Sequence, residues 1–294
     1  MRIALTGATG FVGRHCIDRL ATAETNIQSW YRSGTPTPQK HVQWIRGELN
    51  DDDSTTRLVA GCDTVIHTAL SRSSDSFMSE PEDPVAYYET NVLGTLKLIE
   101  AAQKAGVTRL IFLSSGAVHD IVADDLPLDE RHPLWPTTLY GASKAAVETL
   151  VHAYGLSGKM NIATLRPVAI AGIDTPIERS KWHALIQSVA AGKKTEATGG
   201  GKVVFVDDVV SAIDCLLHSD ANLAGQTYNI CSGSISHYQV ATLAKELTGS
   251  DAELIGPAKE SKRSLCTDKI QKLGMHFSGE DKLREIVQAL ANRP

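Results

Sequence analysis

Residues 6–13 read TGATGFVG. The apolar run RIAL (2–5) stands before them, and VGRHCIDRLATA (12–23) behind them has helical spacing. The stretch therefore predicts a strand, a tight turn and a helix. Gly7, Gly10 and Gly13 fall three residues apart. One glycine serves a tight turn, a second lets the backbone approach a pyrophosphate, and a third lets the helix pack on the strand. The opening of such a helix offers unpaired N–H groups and a positive dipole end to an anion. Gly7, Thr9, Gly10, Phe11, Val12 and Gly13 are the candidate phosphate-side residues.

Outward from this turn, short β-rich runs alternate with helical stretches. The strand candidates are IQSWY (27–31), VQWI (42–45), DTVIHT (63–68), RLIFLSS (109–115) and IATLR (162–166). TNVLGTLKLIEAAQKAG (90–106) reads as a helix, with Val92, Leu96, Ile99 and Ala102 on one face and Gly106 as its C-cap. Alternation of this kind predicts an α/β fold, a Rossmann-type doubly wound parallel sheet. SRSSDSFMSEPEDP (71–84) reads as a polar loop near a ligand. Beyond residue 170 come a helix within 174–194, a strand running into a helix (203–219), a strand (226–231) and two amphipathic helices (237–249 and 279–292). The expected division is a nucleotide-binding domain, 1–170 with about 200–232, and a small substrate-binding lobe, about 171–199 and 233–294.

The formal net charge of −5 and the lack of a long basic run argue against nucleic acid as a partner. No apolar run reaches the roughly 18 residues of a membrane span, and the apolar N-terminus is too short for a signal peptide. The five cysteines are scattered and form no C-x-x-C pair, so neither a disulfide framework nor a metal site is expected. They read as small buried residues in a reducing, cytoplasmic protein.

A second stretch carries chemistry. YGASK (140–144) puts Tyr140 and Lys144 at i and i+4, on one helix face with Cβ atoms about 6 Å apart. Hydride transfer at a carbon bearing oxygen needs a proton moved on or off that oxygen. A phenol with a pKa near 10 serves better beside a cation, which favours the phenolate.

Taken together, the motifs resemble the short-chain dehydrogenase/reductase superfamily, in its extended branch of sugar-nucleotide epimerases and dehydratases. TGATGFVG resembles that family's glycine loop, CDTVIHTAL (62–70) its fourth strand and TNVLGT (90–95) its asparagine motif. LIFLSSGAV (110–118) resembles its serine strand, LDERHPLWPTTLYGASKAAVE (128–148) its catalytic segment and LRPVAIAG (165–172) the strand after it. VFVDDVVSAI (204–213) and GQTYNI (225–230) resemble the elements beyond. The resemblance implies a catalytic set of Ser115, Tyr140 and Lys144, in which Lys144 also holds the nicotinamide ribose and Ser115 polarises the substrate oxygen. Asn91 would support the site. Glu48 and Leu49 would lie beside the adenine, Thr68, Ala69 and Leu70 along the adenosine groove, and Pro167 and Val168 against the nicotinamide carboxamide. NAD-type members carry an acid at the position of Tyr31, and NADP-type reductases carry an arginine at that of Arg32. No acid lies between Ile27 and Gln39, so NADP(H) is expected over NAD(H). A homodimer is implied, through the helices holding residues 90–104 and 141–154, where Leu150, Val151 and Ala153 are apolar candidates.

The sequence also departs from its relatives. Ala169 stands where sugar-nucleotide members have an asparagine, Ala171 where they have a tyrosine, and His119 replaces another tyrosine. Gly116 and Ala117 follow Ser115, where the 4,6-dehydratases have Asp-Glu. The expected activity is an NAD(P)-dependent oxidoreductase moving a hydride between the cofactor and an alcohol or carbonyl of a small molecule, with sugar-like compounds among the candidates. The alternatives are a nucleotide-sugar epimerase with regenerated cofactor and a non-catalytic NAD(P)-sensing protein. The basic run KESKR (259–263) is a candidate anion contact, with a solvated charged loop the blander reading.

Overall fold

The structure is a computed structural model, and it describes all residues except 35, 73–78, 258–262 and 293–294. The order through the first half is β1 (Arg2–Thr6), α1 (Phe11–Leu20), β2 (Asn26–Tyr31), β3 (Val42–Arg46), α2 (Asp52–Val59), β4 (Thr64–His67), α3 (Pro84–Tyr88), α4 (Gly94–Lys104) and β5 (Arg109–Leu113). A π-turn, Glu89–Leu93, joins α3 to α4, and a 3₁₀ turn, Gly116–His119, follows β5. The second half holds α5 (Leu139–Leu156), β6 (Asn161–Pro167), β7 (Ala169–Ala171), α6 (His183–Ala190), β8 (Thr195–Glu196), β9 (Gly200–Phe205), α7 (Val206–His218), β10 (Gln226–Ile230), β11 (Gly233–Ser236), α8 (His237–Thr248), β12 (Leu254–Ile255), α9 (Asp268–Gln271) and α10 (Glu280–Ala291).

Seven strands form one parallel sheet in the order β10-β6-β5-β4-β1-β2-β3. From β1 the chain first builds β2 and β3 on one side, then returns to build β4, β5 and β6 on the other. The crevice at the carboxyl ends of β1 and β4 is thus a topological switch point, where sheets of this kind take their ligands. Both faces are covered. Ile3 and Leu5 of β1 look towards α1 and α7, while Ala4 between them joins the core under α2, α4 and α5. β4 and β6 are buried on both faces, although β4 carries His67 and β6 carries Thr164 and Arg166.

Helix α2 has no counterpart among the elements expected from the sequence. Its first six residues are polar and only Leu58 and Val59 are apolar, but Asp51 caps it by accepting from the N–H groups of Asp53 and Ser54. β5 ends at Leu113, two residues before its expected end. β7, β9 and β11 make a second, three-stranded sheet, and β8 pairs with β12. A third core lies there, built from Trp182, Ile186, Phe205, Val240, Leu283 and Leu290, among others. Buried Asp208 ties this region to the main sheet by accepting from the Ser232 hydroxyl and from the N–H and hydroxyl of Ser278. Arg109 donates to the carbonyls of Leu216, Leu217 and Ser219, closing the C-terminus of α7. Among the described residues no helix is long and apolar enough to cross a membrane. All five cysteines are free; Cys16 and Cys62 are buried, and the other three are half-buried.

Candidate active site

The glycine loop is shaped by contacts. Gly7 has φ +76°, and a Cβ there would stand 2.6 Å from Thr68 Oγ1 and 2.7 Å from the Ala69 nitrogen. A Cβ on Gly13 would meet the Gly7 carbonyl oxygen at 2.1 Å. These two glycines are required by the protein's own packing. Gly10 differs: its Cβ would meet only the Gly7 oxygen, at 3.2 Å. It caps α1 with no side-chain hydrogen bond. The loop therefore leaves open space before an uncapped helix N-terminus, which fits a pyrophosphate. Arg14 holds the turn by donating to the Thr9 carbonyl at 2.7 Å and by pairing with Asp174.

Ser115 and Tyr140 come together at the end of β5. Ser115 caps the 3₁₀ turn, its Oγ accepting from the Ala117 N–H at 3.1 Å. A hydrogen bond joins its hydroxyl to that of Tyr140. The approach depends on Gly141, where a Cβ would lie 2.4 Å from the Ala117 carbonyl oxygen. Thr138 starts α5 by accepting from the Gly141 N–H at 3.1 Å. Burial pushes the Tyr140 phenol up, the Ser115 bond pulls it down by less, and nearby Tyr87 raises it. The expectation that Lys144 would lower it is not met in this geometry. Lys144 Nζ donates to the Leu113 carbonyl at 2.8 Å and lies 4.8 Å from the centre of the Phe112 ring. Burial brings the lysine down to about 8, against a smaller upward pull from Glu148.

Two buried polar assemblies support this set, and neither was anticipated from the sequence. In the first, His67 Nδ1 lies 2.7 Å from Thr6 Oγ1 and Nε2 lies 2.9 Å from Thr95 Oγ1. Thr95 donates to the Asn91 carbonyl at 2.6 Å. Burial holds His67 down at about 3, helped by the charge of Lys144, so the imidazole is neutral. Asn91 itself sits in the π-turn. Its amide exchanges hydrogen bonds with the Ser71 backbone and donates to the Tyr87 carbonyl. It anchors the loop at Ser71 to the start of α4.

In the second assembly, Arg166 and Glu148 form an ion pair at 2.6 Å with side-chain exposures of 2% and 0%. Glu148 also accepts from the Ser114 hydroxyl, and Arg166 reaches His119 Nε2 at 3.1 Å and the Glu130 carbonyl at 3.4 Å. His119 is pulled down to about 4, first by burial and then by Arg166. The only hint in the sequence was the i+4 step from Lys144 to Glu148.

Pro167 is the last residue of β6, and Val168 donates its N–H to Ile230 at 3.4 Å. A Cβ on Gly116 would lie 3.3 Å from Val168, so this segment borders the serine turn. Thr68, Ala69 and Leu70 are half-buried at the end of β4, where Thr68 Oγ1 donates to the Thr6 carbonyl and the Ala69 N–H to Thr6 Oγ1. Arg32 is exposed just past β2, Glu48 is exposed and Leu49 is buried. The loop expected near a ligand lies partly outside the described residues (73–78), as does KESKR except for Arg263. Arg263 donates to the carbonyls of Ala123 and Asp124 and to the Asp124 carboxylate. It also lines an open cavity of about 1100 Å³ beside β11 and α8, with Lys202, Tyr238 and Arg284. Of the apolar trio on α5, Val151 is fully buried in the sheet-facing core, Leu150 packs against that core, and Ala153 is exposed.

Comparison with known proteins agrees with this architecture. Residues 3–231 match the model of the NAD dependent epimerase/dehydratase family. A dTDP-glucose 4,6-dehydratase of Mycobacterium tuberculosis is 28% identical over 255 residues, 79% of this chain and 72% of that protein. A UDP-glucose 4-epimerase of Lacticaseibacillus casei is 26% identical, covering 85% and 82% of the two chains. A 4-hydroxy-2-methyl-3-oxo-4-farnesyl-3,4-dihydroquinoline-1-oxide ketoreductase of Stigmatella aurantiaca is 28% identical, covering 86% and 75%. Among solved structures, the UDP-glucose 4-epimerase of Thermus thermophilus in complex with NAD superposes with a TM-score of 0.78 at 25% identity, over the whole of both chains.

Proposed function

The chain belongs to the NAD dependent epimerase/dehydratase family, whose members are nicotinamide-dependent enzymes, and from that premise we propose that it is an oxidoreductase that reduces the carbonyl of a small molecule. The observation that carries this reading is Tyr140: its phenol, raised by burial, holds its proton at neutral pH and shares a hydrogen bond with Ser115. A protonated phenol is the acid that carbonyl reduction requires. A bound nicotinamide would supply the hydride to the carbonyl carbon. Tyr140 gives its proton to the oxygen. Ser115, whose Oγ accepts from the Ala117 N–H and whose hydroxyl meets that of Tyr140, would turn its hydrogen to the substrate oxygen and stabilise the charge gathering there. Lys144 does not lower the resting phenol, but below its own value of about 8 it stays charged and would favour the tyrosinate once the proton has left.

The N–H groups of Phe11, Val12 and Gly13 would take the pyrophosphate, and Arg32 a 2′-phosphate, which favours NADP(H). Glu48, Leu49, Thr68, Ala69 and Leu70 would flank the adenosine, and Pro167 and Val168 the carboxamide. The division into a nucleotide-binding domain and a C-terminal substrate lobe, a homodimer through α4 and α5, and a cytoplasmic location belong to the same reading.

A second reading is a nucleotide-sugar epimerase, favoured by the names of the epimerase relatives. Ala169 and Ala171 speak against it, since neither side chain can hydrogen-bond a substrate; the ketoreductase relative is in line with net reduction. The two readings separate in one assay, in which carbonyl compounds, sugars and sugar nucleotides are offered with NADPH or NADH and absorbance is followed. Stoichiometric cofactor consumption is expected; isomerisation of a sugar nucleotide without it would refute net reduction. Tyr140→Phe should lower kcat by about 10²–10⁴-fold with cofactor affinity retained, and full activity in that variant would refute the assigned acid.

A further inference from the structure

Lys144 and Glu148 stand at i and i+4 on α5, the spacing at which lysine and glutamate pair on a helix. Here each is engaged elsewhere. Lys144 donates to the Leu113 carbonyl, and Glu148 is taken up by Arg166 and Ser114. Of the four hydrogen bonds the carboxylate accepts, three come from Arg166: Nε reaches both oxygens at 3.0 Å, and Nη2 reaches Oε2 at 2.6 Å. Arg166 is in turn fixed by His119 and the Glu130 carbonyl.

We propose that Arg166 is a positioning residue for the reaction: by occupying Glu148 it prevents that carboxylate from capturing Lys144, so the ammonium stays at Leu113, one helical turn from Tyr140. The inference rests on the catalytic roles given to Tyr140 and Lys144 above. A charge pair this deeply buried is poor support for stability, because desolvation offsets the attraction. It does, however, join the three segments that carry the chemistry. Glu148 lies on the helix of Tyr140 and Lys144, Arg166 precedes Pro167, and Ser114 adjoins Ser115. The Ser114 N–H also donates to the Leu165 carbonyl at 2.8 Å, so the serine turn is held from both sides.

The charges around Lys144 balance in a useful way. Glu148 on α5 and Arg166 on β6 sum to zero as a pair, though Lys144 still feels a smaller upward pull from Glu148, and the lysine is the remaining net charge. His67 on β4 is neutral. His119 in the 3₁₀ turn is also neutral, its Nε2 facing Arg166 and its Nδ1 facing the Pro133 carbonyl. Tyr87 on α3 is a phenol pushed up by burial. When Tyr140 gives up its proton, the buried set becomes neutral overall. Without Arg166, Glu148 would neutralise Lys144 instead, and the tyrosinate would have no cation to face.

The test is the titration of Lys144, read from its Cε resonance by ¹³C NMR in cofactor-free protein and identified by its loss in Lys144→Met. The two perturbations should act in opposite directions. Arg166→Met frees Glu148 and should raise the midpoint; Glu148→Gln removes the counter-charge and should lower it, each by about 1 pH unit. The loss of activity at high pH should move with the midpoint. At neutral pH Arg166→Met should lower kcat by about 100-fold, and adding Glu148→Gln should restore at least about tenfold of it, a coupling that mere packing would not produce. If Arg166→Met does not fold, Glu148→Gln, close in shape to the native residue, carries the test alone. Midpoints that coincide, or move the same way, overturn the inference whatever the activity. Opposite displacements with no carbonyl reduction in any protein would uphold the charge arrangement and refute the function assigned to it.

Discussion

Replacing Gly13 or Gly10 by alanine adds the same methyl group to the same loop, and the two outcomes should be opposite in kind. At Gly13 the new carbon would lie 2.1 Å from the Gly7 oxygen and 2.6 Å from Ala8 Cα. All the obstacles are backbone, so α1 must retreat from the loop by about 1 Å to restore a van der Waals contact. Forced overpacking costs about 1–3 kcal/mol, and rigid backbone neighbours put this site at the upper end. Helix propensity works the other way, since alanine gains about 1 kcal/mol over glycine inside a helix. The net loss of about 2 kcal/mol should lower Tm by roughly 3 °C in a chain of this size. At Gly10 the methyl meets only one oxygen at 3.2 Å, and Tm should change by less than about 2 °C. It enters the space where the pyrophosphate would approach, however, and each charge-assisted hydrogen bond lost is worth about 1.5–3 kcal/mol. NADPH affinity should then fall by about 10–100-fold. Thermal unfolding followed by circular dichroism and NADPH titration by fluorescence read the two quantities separately. A Gly13→Ala protein as stable as wild type, or a Gly10→Ala protein that binds normally, would refute the division of labour assigned to these glycines.

Arg32→Ala should weaken NADPH much more than NADH; equal losses in two parallel titrations would remove the arginine from the 2′-phosphate. His67 gives stability a pH dependence whose sign is fixed by burial. Its folded pKa of about 3 lies below the ordinary 6.5, so above that value the ring is neutral in both states and contributes nothing. As pH falls through 6.5 only the unfolded chain takes the proton, and stability is lost progressively down to about pH 3. His119, held at about 4, adds a loss of the same sign between 6.5 and 4. Denaturant melts at several pH values should show a shallower acid slope in His67→Gln than in wild type; parallel slopes would contradict the assignment.

The parts of the site that could be read from the sequence are those whose physics is local. TGATGFVG carries its turn, its helix start and its anion preference within eight residues, and YGASK carries a helix face within five. The sheet followed from alternation alone, because strands buried on both faces are near-continuous apolar runs. Other features depend on partners distant in sequence. Arg166 meets Glu148 from another element, and His67 reads as one more strand residue until Thr6 and Thr95 close on it. Burial decides the Tyr140 proton, and burial is tertiary, which is why helix spacing suggested a lowered phenol and the folded chain raises it. Val151 is apolar for the core rather than for a partner, a distinction that composition does not make. The second sheet was missed although the strand of β9 was read, because β7 has only three residues and β11 opens on a glycine, too little for a clear period.

The chain of bonds through His67 has a direction. Ala69 can only donate, through its N–H, to Thr6; the Thr6 hydroxyl must then donate to Nδ1, Nε2–H to Thr95, and the Thr95 hydroxyl to the Asn91 carbonyl, which can only accept. A backbone N–H at one end and a carbonyl at the other permit one ordering of the hydrogens and forbid its reverse. A proton could travel this line only by lodging on a peptide oxygen, so the line is an insulator rather than a wire. It holds the end of β1, β4 and the Asn91 turn together with one fixed set of hydrogens.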